Sequence, residues 1–184
     1  MRAHRYAIRT TLSTTAAAIL MILAMTPAQA AAPTPSVPDA LIFSQADAKT
    51  RAIAAAEPEA LRATANLCGS GYQLSTADRL PEPNRRLGTL FLYSKSTAST
   101  IYVCALFDNN TGSSKYMKLK LCPNRAGATC PTDEGNFSRY AGPVRISGDY
   151  RYVGCSTVTA IMKNSKSSSA ALIDRVTGAY TCNR

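Results

Sequence analysis

The stretch "LGTLFLYSKSTASTIYVCALF" (residues 87–107) decides the fold class. Its two halves, "LGTLFLYS" (87–94) and "STIYVCALF" (99–107), are rich in β-branched and aromatic residues, which suit a pleated, half-buried surface. "SKSTA" between them reads as a hairpin loop. Downstream, "DNNTGSS" (108–114) is a turn cluster, and "KYMKLKL" (115–121) alternates with Met117, Leu119 and Leu121 on one face. A Pro/Gly/Asn loop through Cys122 and Cys130 follows, with Asp133 and Glu134 placed in it. "PVRIS" (143–147), "YRYVGCSTVTAIM" (150–162) and "AALIDRVT" (170–177) extend the series to about seven short strands, counting one that starts near Gly71. The expected fold is mainly β, an antiparallel sandwich or small barrel.

Upstream the texture differs. Arg2, Arg5 and Arg9, the apolar run "AAAILMILAM" (16–25) and the small-x-small end Ala28-Gln29-Ala30 have the form of a secretory signal peptide, residues 1–30. The run is too short to read as a transmembrane span. "AAPTPSVPDA" opens an extended Pro/Ala-rich linker, 31–43. Alanine-rich residues 44–66 read as a short helical segment, one helix near 44–56 capped by Ser44 and a second opened by Pro58. Its apolar content is small, chiefly Ile53, Leu61 and Leu67, so it is expected to lean on the domain or to remain partly loose, with a removable pro-segment as a further option. The β domain is 67–184.

Six cysteines lie beyond the leader: Cys68, Cys104, Cys122, Cys130, Cys155 and Cys182. An even count in an exported chain implies three disulfides, with fifteen pairings open. Locality favours Cys122 with Cys130; Cys68 with Cys104 and Cys155 with Cys182 are the assignments adopted for the others. Three such bridges contribute on the order of 10 kcal/mol in the chain-entropy model. A four-thiolate metal site would call for paired C-x₂-C spacing, which is missing. No cofactor or metal is expected.

His4, the only histidine, falls in the leader. A mature chain without imidazole cannot build a Ser-His-Asp or Cys-His nucleophile. Carboxylate chemistry is the enzymatic option that remains, and adjacent Asp133 and Glu134 or the strand-ending Asp108 are not marked as a facing pair. The Cys68-Gly69-Ser70-Gly71 stretch carries no following lysine for a phosphate loop and reads as a helix end beside a disulfide.

Charge is uneven. Residues 67–184 hold fifteen basic and seven acidic groups, against three and four in 31–66. A domain of that charge is drawn to anionic polymers. Lys118 and Lys120, on one strand face with Tyr116 and close to Lys115, form a candidate stripe for such a chain. Arg125, in the Cys122–Cys130 loop, is the candidate contact for a protein partner such as a secreted protease. No specific nucleic-acid target is expected. Tyr140 is assigned to the core, and Gly142-Pro143 to a turn or sheet edge.

Several of these residues come in a familiar order: "CGSGY" (68–72), "LGTLFLY" (87–93), "YVCAL" (102–106), "YAGPV" (140–144) and the strand cysteine Cys155. Over roughly residues 66–157 the chain resembles the spore-associated protein A family of small exported proteins from filamentous, spore-forming bacteria. The resemblance implies a secreted, disulfide-bonded protein found with spores or aerial structures. It supplies no catalytic residues. The Cys122/Cys130 loop and the strongly basic balance are departures from the family pattern. The resulting expectation is a non-enzymatic exported domain that associates with an anionic cell-wall or spore surface. The alternatives are an inhibitor or protein-binding module and a small carboxylate-dependent hydrolase.

Overall fold

The quoted hairpin forms the centre of one sheet. β2 (Arg85–Ser96) and β3 (Ile101–Asp108) pair antiparallel, with Leu90 opposite Phe107 and Tyr93 opposite Cys104. Successive side chains alternate between the faces of a strand. Leu90, Leu92, Val103, Ala105 and Phe107 therefore join one core, and Phe91, Tyr93, Cys104 and Leu106 join another. All nine are buried. A sheet buried on both faces needs a layer on each side, and this molecule has both layers.

The computed structural model describes residues 38–179, which fall within one unit spanning Thr34–Arg184. The expected signal peptide, most of the linker and Cys182 lie outside the described residues. β1 (Gln73–Glu82) and β6 (Tyr140–Gly148) complete the first sheet in the order β1-β2-β3-β6. The second sheet runs β5-β4-β7-β8, built from β4 (Lys115–Cys122), β5 (Thr132–Phe137), β7 (Thr157–Lys163) and β8 (Ile173–Gly178). Every strand pairing in both sheets is antiparallel.

Between the sheets, Leu90, Leu92, Val103 and Phe107 meet Met117, Leu119, Val158 and Met162. The fold is a β-sandwich, and the face assigned to Met117, Leu119 and Leu121 from alternation is the one that turns inward. On the outer side of the first sheet lie α1 (Ala48–Ala56) and α2 (Pro58–Cys68). Their Ala54, Leu61 and Ala65 pack against Leu74, Phe91, Tyr93 and Leu106. Cys68 at the end of α2 is bonded to Cys104 in β3, and Cys122 to Cys130. Cys155 is also disulfide-bonded; the partner expected for it, Cys182, lies outside the described residues.

The structure corrects four expectations. There are eight strands among the described residues rather than seven, because 132–137, read as loop, is β5. "TDEGNF" has weak β propensity, but β5 is an edge strand that leans on the regular ladder of β4. The stretch 150–162 is not one strand: Tyr150–Val153 is a short helix, α3, capped by Asp149, and β7 begins only at Thr157. The first long helix is capped by Asp47, not Ser44, through a 2.6 Å bond from the Thr50 amide. Of the two expectations for the helices, that they lean on the domain holds and that they stay partly loose does not. Leu61 and Ala54 are fully buried, and loss of this layer would strip the cover from a core. Pro58 does open α2, and Gly142-Pro143 lies in an edge strand beside a register shift opposite Ala105 and Phe107. Tyr140 is half-buried against the helix-side core.

Candidate functional site

The two outer faces of the sandwich differ. Helices cover that of the first sheet; in the second, the outward residues form a solvated surface. Across the middle of that surface one row holds Glu134, Lys118, Ile161 and Asp174, and the next holds Thr132, Lys120, Thr159 and Val176. Asn136, Tyr116 and Lys163 form the row on the other side. Val176 is 63% exposed.

The structure places Tyr116, Lys118 and Lys120 together on this face but separates Lys115 from them. Lys115 shares its strand face with Met117 and Leu119 and pairs with Phe137, at the end of the core side. Nor is Tyr116 a projecting ring, for it is buried. Its hydroxyl donates to Glu134, whose carboxylate also pairs with Lys118 at 3.0 Å and Lys166 at 3.9 Å. The bond from Tyr116 and that from Lys118 hold the Glu134 carboxyl below its ordinary range, and the same carboxylate raises the Tyr116 phenol. Half the expected stripe is thus partly neutralised within the domain. Lys120, with threonines on either side, keeps the stripe's outward charge, and Lys163, which the sequence alone does not single out, adds a cation on the neighbouring strand.

Asp133 and Glu134 are consecutive in a strand, so they point to opposite faces. Asp133 turns to β6 and accepts from the Gly142 amide at 2.6 Å. They cannot act as a facing carboxylate pair. A different pair does meet. Glu57, at the junction of α1 and α2, and Asp108, at the end of β3, share the guanidinium of Arg86 at 3.0 and 2.6 Å. Glu57 also accepts from Arg79 Nε at 2.7 Å and from the Thr89 hydroxyl at 3.0 Å, and Asp108 from the Thr89 amide. Burial pushes the Asp108 carboxyl up, against the pull of Arg86. A cavity of about 460 Å³ opens beside them, lined by Pro58, Glu59 and Asn110 as well. All four carboxylate oxygens accept from the domain's own donors, as in a clamp. The sequence signal is slight: Asp108 reads as a strand end, and nothing marks Glu57 except its place before the helix-opening Pro58.

Arg125 is exposed in its disulfide-closed loop, with its guanidinium 5.6 Å from the centre of the Tyr152 ring. The Asn124 amide donates to the Tyr152 carbonyl at 2.8 Å, fastening the loop to α3. Gly69 and Gly71 have φ of 97° and 79°, conformations that favour glycine, where α2 gives way to β1. "CGSGY" is thus the stapled helix end expected of it. Among the described residues no cluster of three or more metal-ligating side chains occurs, and no helix is long and apolar enough to cross a membrane.

Comparison of the chain with protein-family models, with curated proteins and with solved structures finds no match.

Proposed function

We propose that the protein is an exported, non-enzymatic β-domain that associates with an anionic cell-wall or spore surface. The observation that carries this reading is the unequal cover of the two sheets: helices overlie one, while the other presents Lys118, Lys120 and Lys163 on adjoining strands. A broad face edged with cations and hydroxyls suits a polyanionic chain, which is held by summed charge rather than by a deep pocket. The disulfides fit an oxidising destination. The resemblance to spore-associated proteins, carried by "CGSGY" and "YAGPV", adds a spore surface to the cell wall as a location for such binding. The occupied oxygens of Glu57 and Asp108 weigh toward binding and against a hydrolase.

Sedimentation with purified cell walls tests the proposal. Binding should fall steeply as salt shortens the screening length from ~30 Å at 0.01 M to ~8 Å at 0.15 M. Lys120→Gln with Lys163→Gln should reduce the bound fraction at low salt. Binding that ignores both salt and these substitutions removes the reading.

The Cys122–Cys130 loop favours a second reading, a protein-binding or inhibitory module. Its ends are bridged at a Cα–Cα distance of 4.4 Å, and its start is fastened to α3, so little freedom is left to lose on binding. Inhibition of an extracellular protease that disappears in Arg125→Ala would favour it over the first; no inhibition by the wild type discards it.

A further inference from the structure

Along α1, residues 49, 52, 53 and 56 recur at the i, i+3, i+4, i+7 spacing of one helix face. Part of this face does not close on the sheet. It forms one wall of a cavity of about 340 Å³ whose other walls are β1, the turn at Pro83 and β8. The space exists because positions 52 and 56 are alanines. Leucines there would fill it, as a packed helix-sheet seam normally requires. The lining is apolar on one side, with Ile53, Ala52, Ala56 and Pro83. On the other side three cations converge: Lys49, Arg79 and Arg175. Asp78, which pairs with Lys49, is the only carboxylate in the lining. Arg79 is turned toward Glu57, and Arg175 reaches the Pro81 carbonyl at 3.1 Å. With Lys49 paired to Asp78 and Arg79 to Glu57, Arg175, held by a carbonyl alone, gives the mouth its positive charge over an apolar floor.

We infer that this cavity is a binding site for a small amphiphilic anion, an aliphatic body ending in one carboxylate or phosphate. The volume is at the small end of ligand pockets, which run from roughly 300 to 1,000 Å³. An apolar tail would lie against Ile53 and the two alanines. The headgroup would meet Arg175 and Lys49, whose present partners are a carbonyl and a rim carboxylate. The open face of the second sheet plays no part, so the inference stands or falls apart from the proposed function.

Calorimetric titration of the oxidised mature protein with octanoate tests it, with octanamide as the neutral analogue and acetate as the anion without a tail. Octanoate should bind one equivalent per chain, octanamide at least about tenfold more weakly, the scale of a lost charge-assisted contact, and acetate at least about tenfold more weakly for want of the buried tail. Ala52→Leu should abolish octanoate binding while leaving the melting temperature unchanged or raised, since it fills space rather than breaking contacts. Arg175→Gln should weaken octanoate and leave octanamide as it was. Absence of octanoate binding overturns the inference. So does equal binding of octanamide, or binding that survives Ala52→Leu in full.

Discussion

Gly88 shows how little room the strand crossings leave. A methyl group there would press on the Asp108 carbonyl oxygen and come within 3.0 Å of the Phe107 ring. Backbone cannot yield as a flexible side chain can. Gly88→Ala is expected to cost about 2 kcal/mol, typical of overpacking, and to lower the urea midpoint with little change in slope. Asp47 is the opposite case, a residue whose worth depends on its charge. Its carboxylate accepts from the Thr50 amide, and Thr50 Oγ1 in turn accepts from the Ala77 amide of β1 at 3.1 Å. The bonds to Thr50 hold the Asp47 carboxyl below its ordinary 3.8. A carboxyl depressed in the folded state adds stability above its unfolded value, and that stability is lost as pH falls through the folded value. Asp47→Ala should therefore cost about 1 kcal/mol at neutral pH. The gap should close in strong acid; a gap independent of pH would mean that the cap does not act through its charge.

Among the elements, the helix layer is the one whose attachment matters most. Three links tie α2 to the sheet beyond its apolar face. The Tyr93 hydroxyl of β2 lies 2.5 Å from Thr64 Oγ1 and donates to the Leu61 carbonyl at 3.1 Å. Glu57 anchors the start of the helix and the Cys68–Cys104 bridge its end. Replacing both cysteines by alanine should cost about 2–5 kcal/mol, as for other native bridges. Hydrogen exchange should speed up first in 58–68, ahead of the strands of the second sheet; uniform acceleration would show that the bridge serves the whole domain instead. Of these links the Cys68–Cys104 bridge was among the pairings adopted from the sequence; the Tyr93 and Glu57 contacts were not legible, because each joins residues far apart along the chain with no local signal. What else was legible was local. Alternation in "KYMKLKL" marked both the strand and its inward face, and the aromatic, β-branched run marked β2 and β3. β5 was hidden because Asp, Gly and Asn spell turn more loudly than strand, and its register sets the neighbour of Lys118. The candidate stripe could thus be read, while its pairing with Glu134 could not. Nor could Glu57 and Asp108, which only the closed fold unites.

At the scale of the whole molecule, the layering is what separates structure from surface. One sheet is enclosed between helices and its partner sheet, so both faces of its central strands are interior. The other has a single interior face, and among the described residues no helix covers its outer side. The same kind of substitution should therefore have unlike costs in the two places. Leu106 points outward from the first sheet and is fully buried beneath the helices. Val176 points outward from the second and is mostly exposed. Leu106→Ala should lose about 2–5 kcal/mol, the range for a truncated core side chain. Val176→Ala should stay within about 0.5 kcal/mol of the wild type, as surface changes do. Both are measured by equilibrium unfolding under the same oxidising conditions. Equal losses would mean that the second sheet is covered in solution, by another copy or by chain beyond the described residues. A polymer would then have no open face there to occupy, and the search for its contact would move to the Arg125 loop.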